Sequence, residues 1–114
     1  MRIYHNPRCS KSRQTLDLIQ DAGIDPEVQL YLENPPSADE LRDLLQKLGI
    51  SAQQLLRKKE ADYKTAGLSS DSSEEEVINA MLECPKLIER PIVVKGEQAI
   101  LGRPPENVYK LLDK

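Results

Sequence analysis

Cys9 is the residue whose surroundings could do chemistry. It stands where a short apolar segment ending at His5 passes through Asn6-Pro7 into a helical stretch. Arg8, Lys11 and Arg13 flank it, Arg2 lies upstream, and no acid occurs before Asp17. The chain's single histidine, His5, is four residues upstream. N–H groups at a helix start lack intrahelical partners, and the helix dipole adds partial positive charge there. A thiol so placed ionises below the ~8.5 of a free cysteine, and the thiolate is the nucleophilic form. The plain alternative is a small buried side chain among solvated bases. A basic, glycine-free turn that opens a helix speaks against it.

The remaining scarce residues exclude several chemistries. The chain has two cysteines and one histidine, too few for a four-ligand zinc site of Cys and His. No metal is expected. A disulfide scaffold is also out of place in a chain of 114 residues, which can bury its own core. Cys84 precedes Pro85 at the end of a helical stretch and reads as a packing residue. The net charge of −3 argues against nucleic-acid binding by phosphate neutralisation. No apolar run approaches the ~20 residues of a membrane span. The segment after Met1 lacks the apolar stretch of a secretory signal. The expected compartment is the cytoplasm, and the interspersed surface charge suggests a monomer.

The elements that must position Cys9 can be read from capping and periodicity. Arg2 to His5 predicts a short strand, and Lys11 to Ala22 a helix that stops at Gly23. Val28 to Leu32 alternates, with Val28, Leu30 and Leu32 on one face. Three helix starts share one grammar, Ser at the cap with Glu or Gln three residues on: Ser37/Glu40, Ser51/Gln54 and Ser73/Glu76. Behind the first lies the stripe Leu41, Leu44, Leu45 and Leu48; behind the third, Val77, Ile78, Met81 and Leu82. Pro91 to Val94 and Gln98 to Leu101 predict a hairpin, and Pro104-Pro105-Glu106 opens a last helix. A helix between the first two strands requires them to be parallel. The predicted fold is α/β: a thioredoxin-like, four-stranded mixed sheet flanked by helices. A helical insertion at about 37–84 separates the second and third strands, within a single domain over 1–114.

The segment His5-Asn6-Pro7-Arg8-Cys9-Ser10-Lys11-Ser12-Arg13 resembles the active-site loop of the glutaredoxin-coupled arsenate reductase family, H-N-P-x-C-x-x-S-R. The similarity continues in order through Leu30-Tyr31-Leu32-Glu33-Asn34-Pro35-Pro36, Leu55-Leu56-Arg57-Lys58, Glu89-Arg90-Pro91-Ile92-Val93 and Gly102-Arg103-Pro104. In extent the chain is more similar to the short chromosomal members than to the plasmid type with its longer tail. The resemblance implies Cys9 as nucleophile, His5 lowering its pKa and Ser12 hydrogen-bonding the thiolate. It implies Arg57, Arg90 and Arg103 as ligands of the oxyanion, which suits guanidinium forks. It implies a cis peptide at Arg90–Pro91, where thioredoxin-like folds place a cis-proline.

The implied reaction is reduction of arsenate to arsenite with glutathione as co-substrate, glutaredoxin as partner and no bound cofactor. Reducing As(V) to As(III) takes two electrons, and one cysteine cannot form an intramolecular disulfide. The Cys9-to-Arg13 spacing is C-x3-R, unlike the C-x5-R loop of thioredoxin-coupled arsenate reductases. Two other readings stand beside this one. One is a glutathione-linked thiol–disulfide reductase acting on other substrates. The other is a non-enzymatic, RNA-polymerase-binding regulator of the same fold, although Ser12 stands where such regulators carry the second cysteine of C-x-x-C.

Overall fold

The computed structural model describes residues 1–112, so the last two residues of the expected domain lie outside the described part. The strand Arg2–His5 (β1) pairs in parallel with Glu27–Leu30 (β2). Its other edge pairs antiparallel with Ile92–Lys95 (β3), which continues antiparallel to Gln98–Leu101 (β4). The sheet order is therefore β2-β1-β3-β4. This is the expected mixed sheet: a crossover helix makes the first pair parallel, and a two-residue turn makes the last pair antiparallel. Gly96 opens that turn at φ +62, a left-handed conformation that the right-twisting hairpin needs and glycine adopts without strain.

The crossover helix is Ser10–Asp21 (α1). The chain divides into two compact units: Met1–Asn34 with everything from Arg90 onward, and Pro35–Glu89. The second unit holds Ala38–Leu48 (α2), Ala52–Leu55 (α3), Ala61–Thr65 (α4) and Glu74–Glu83 (α5). All three expected capping boxes are formed, at Ser37, Ser51 and Ser73. Leu41, Leu44 and Leu45 of α2 and Val77, Ile78 and Met81 of α5 are buried, as their spacing requires. The short α4 has no counterpart among the expected helices. Its cap, Glu60, makes no side-chain cap bond, and the helix buries no residue, so neither usual signal is present.

Two expectations need correction. The second strand ends at Leu30 rather than Leu32, because the N–H groups of Glu33 and Asn34 both turn back onto the Leu30 carbonyl. The turn breaks the alternation, leaving Tyr31 1% and Leu32 39% exposed, and Val28, earlier on this edge strand, is 43% exposed. The last helix is also not uniform. Pro104 is extended, Pro105–Val108 form a 3-10 turn, and among the described residues the α-helix occupies Tyr109–Leu112 (α6). The core of the sheet unit brings together Ile3 of β1, Ile19 of α1, Val93 of β3, and Val108, Leu111 and Leu112.

Candidate active site

Cys9 occupies the N-cap of α1 with an extended backbone, φ −95 and ψ 122. The loop before it is closed by two bonds to Asn6: the Cys9 N–H donates to its carbonyl at 3.0 Å, and the Arg8 N–H to its Oδ1 at 3.0 Å. Arg13 reaches back, its Nη1 donating to the Pro7 carbonyl at 2.9 Å. The thiol is free and half-buried. Its burial alone would push the pKa up. The Ser12 N–H, the Arg90 guanidinium and the Lys11 N–H outweigh that cost, and the thiol lies below its ordinary value. The thiolate is thus held by donors aimed at sulfur, two of them from the first turn of the helix.

A second guanidinium joins the first. Arg103 Nη2 lies 3.6 Å from Cys9 Sγ, and its Nε donates to the Arg90 carbonyl at 2.8 Å. Asn107 fixes the segment by donating from Nδ2 to the carbonyls of Arg103, at 3.0 Å, and Leu101, at 3.1 Å. Burial would lower the pKa of Arg90, but the Tyr31 hydroxyl and the Cys9 sulfur draw it above the ordinary arginine value. Tyr31 is a neighbour that sequence reasoning missed. It stands within both the predicted strand and the family-like segment from Leu30 to Pro36 without a role of its own, although a tyrosine with a hidden hydroxyl calls for a polar partner.

His5 and Ser12 form a buried pair, with His5 Nδ1 2.6 Å from Ser12 Oγ. Ser12 Oγ also accepts the Asn6 N–H at 3.1 Å. Burial, and then the charge of Arg13, hold the imidazole below its ordinary pKa, with Asp17 opposing them. His5 is therefore neutral at pH 7. The Ser12 hydroxyl is engaged by His5 and Asn6, and it is the Ser12 backbone N–H that reaches the thiol.

Arg57 belongs to the second unit, where its side chain pairs with Glu60 at 3.5 Å and Glu89 at 3.4 Å. Its backbone is tied to Leu87, next to a Leu56–Ile88 bridge. The Arg90–Pro91 peptide is cis, and so is Arg103–Pro104, which the sequence reading did not anticipate. Cys84 caps α5 in the second unit. Burial and the nearby Asp62 push its thiol up, against a smaller pull from Lys86. Among the described residues no group of His, Cys, Asp and Glu could hold a metal ion. Nor is any helix of the described residues long and apolar enough to cross a membrane.

Comparison with known proteins agrees with this geometry. The profile of the ArsC family matches residues 4–111. The chain is 55% identical to the uncharacterised protein YfgD of Escherichia coli (strain K12), over 98% of this chain and 96% of that one. It is 47% identical to an arsenate reductase of Haemophilus influenzae, over 96% of this chain and 97% of the other. Among solved structures, an arsenate reductase from Vibrio cholerae superposes with a TM-score of 0.92 at 51% identity, covering 96% of this chain and 97% of that one. With matches spanning nearly its full length, the chain belongs to the ArsC family.

Proposed function

We propose that this protein is an arsenate reductase with Cys9 as its nucleophile. The observation that carries the reading is the Cys9 thiol, held below its ordinary pKa, with Arg90 and Arg103 both on its sulfur. A disulfide substrate is uncharged at its reacting sulfurs and gives two guanidinium groups no anion at the point of attack. A tetrahedral oxyanion takes both. This observation favours arsenate over a disulfide substrate, and the Haemophilus relative is named an arsenate reductase.

In this scheme the Cys9 thiolate forms an S–As bond and hydroxide leaves as water. Glutathione adds through a second S–As bond, again releasing water. A glutaredoxin thiolate then attacks the glutathione sulfur. The disulfide so formed leaves two electrons on arsenic, and water releases arsenite and regenerates Cys9. Arg90 and Arg103 hold the oxyanion, and Arg57 is assigned as a third ligand on the resemblance of Leu55-Leu56-Arg57-Lys58. Ser12 and His5 are positioning residues, His5 through the Ser12 hydroxyl. No bound cofactor is required.

The test runs two assays side by side: arsenite production with glutathione and glutaredoxin, and reduction of a glutathione mixed disulfide. Arsenite should form with the wild type and not with Cys9→Ser. Arg90→Ala and Arg103→Ala should each raise the arsenate KM about tenfold or more, since charge-assisted bonds are worth ~1.5–3 kcal/mol. Turnover of the mixed disulfide without arsenite formation would overturn the reading in favour of a thiol–disulfide reductase.

A further inference from the structure

The residues just before Cys9 also line a cavity of about 340 Å³, which they share with Leu30, Leu32 and Glu33. His5 and Asn6 are its most buried lining residues, at 6% and 7% exposure. Each presents a polar atom that no described residue partners. The Asn6 Oδ1 takes the Arg8 N–H, which turns Nδ2 the other way, as a free donor. The tautomer of His5 follows from its neighbour. Ser12 is fully buried, its Oγ already accepts the Asn6 N–H, and His5 Nδ1 is the acceptor within reach of its proton. The imidazole proton therefore sits on Nε2, which is a second donor without a partner.

The charges around the cavity select the ligand. Arg8 is exposed at the rim and adds a guanidinium to the two neutral donors. Glu33, also exposed, supplies a carboxylate, and Leu30 and Leu32 supply apolar surface. A simple anion would face the Glu33 charge, and an apolar ligand would leave the donors unsatisfied at a real cost. A group carrying a carboxylate and an ammonium a few ångströms apart satisfies both. The volume lies in the usual range for small-ligand cavities, ~300–1,000 Å³, and far exceeds what one tetrahedral oxyanion fills.

We propose that this cavity binds the amino-acid head group, α-carboxylate with α-ammonium, of the thiol reductant that acts at Cys9. The carboxylate accepts from Asn6 Nδ2, His5 Nε2 and Arg8, and the ammonium pairs with Glu33. The inference rests on the reading above, in which a small thiol is the second reactant. The γ-glutamyl end of glutathione carries such a head group.

The test uses S-methylglutathione, which cannot react with Cys9, titrated into the full chain and followed by NMR. A second probe, S-methylcysteinylglycine, lacks the γ-glutamyl head group. Saturable shifts are expected at the Asn6 side-chain amide, the His5 ring, Leu30 and Leu32. The truncated probe should bind at least about tenfold more weakly. Glu33→Gln, a near-isosteric change at an exposed position, should weaken S-methylglutathione about tenfold and leave the truncated probe unchanged. Equal binding of the two probes, shifts centred on Arg90 and Arg103, or no saturation by about 20 mM would overturn the proposal. Neither arsenic nor turnover enters this measurement, so its failure is distinguishable from failure of the arsenate assay.

Discussion

Cys9 owes its depressed pKa to donors on its sulfur rather than to the charge of the nearby histidine. His5 is neutral at pH 7 and turned onto Ser12, while Arg90 and the Ser12 N–H act on the thiol directly. The two influences can be separated by iodoacetamide alkylation against pH. Wild-type reaction should have its midpoint below that of an unperturbed thiol, and Arg90→Ala should raise that midpoint. His5→Ala should raise it less, since its effect passes through the Ser12 hydroxyl. A His5→Ala shift larger than that of Arg90→Ala would reverse this ranking. The same depressed pKa makes folding stability pH-dependent. The contribution is fully present above the unfolded thiol's pKa and is lost as pH falls through the folded one. Cys9→Ser should abolish that slope in denaturant titrations across this window.

At the scale of elements, one close approach positions half of the guanidinium pair. A Cβ on Gly102 would lie 2.5 Å from Thr15 Oγ1 and 2.7 Å from Pro91 Cγ, so only glycine lets the end of β4 pack against α1. The Gly102 N–H donates to the Pro91 carbonyl at 2.9 Å, and Arg103 follows immediately. Gly102→Ala should lower the unfolding free energy by about 1–3 kcal/mol, the usual range for overpacking. It should also raise the Cys9 alkylation midpoint by displacing Arg103. Adding Thr15→Ala removes the nearest clash and should restore part of the stability, with Pro91 limiting the recovery. Urea denaturation of the wild type and the two variants checks this, and an unaltered Gly102→Ala midpoint would refute it. These elements differ in how plainly the sequence announces them. Ser37, Ser51 and Ser73 bond within three residues of themselves, so their helix starts are local facts that any window displays. Tyr31 turns inward because of a turn onto Leu30 and a partner, Arg90, from a distant segment. No local pattern contains that information. Arg90 and Arg103 are likewise legible only through likeness to family segments around each of them, since spacing alone does not bring residues 9, 90 and 103 together.

For the molecule as a whole, the question is where the second thiol comes from. Two-electron reduction at Cys9 must end in a disulfide, and the chain holds one other cysteine. Cys84 is ill suited to supply it. Burial and the Asp62 carboxylate keep its thiol protonated, the reverse of the setting around Cys9. A thiolate attacks and a thiol does not, so two cysteines in one chain differ in reactivity because of the charges each fold environment provides. Under limiting iodoacetamide at pH 7, peptide mapping should find the label on Cys9 well before Cys84. Cys84→Ser should keep arsenate turnover with glutathione and glutaredoxin within about twofold of wild type, a difference worth ~0.4 kcal/mol. Protein recovered after incubation with arsenate and no added thiol should contain no intrachain disulfide. A Cys9–Cys84 disulfide in that sample, together with turnover lost in Cys84→Ser, would make Cys84 the resolving thiol. An external thiol would then be needed only to reduce that disulfide and start the next cycle.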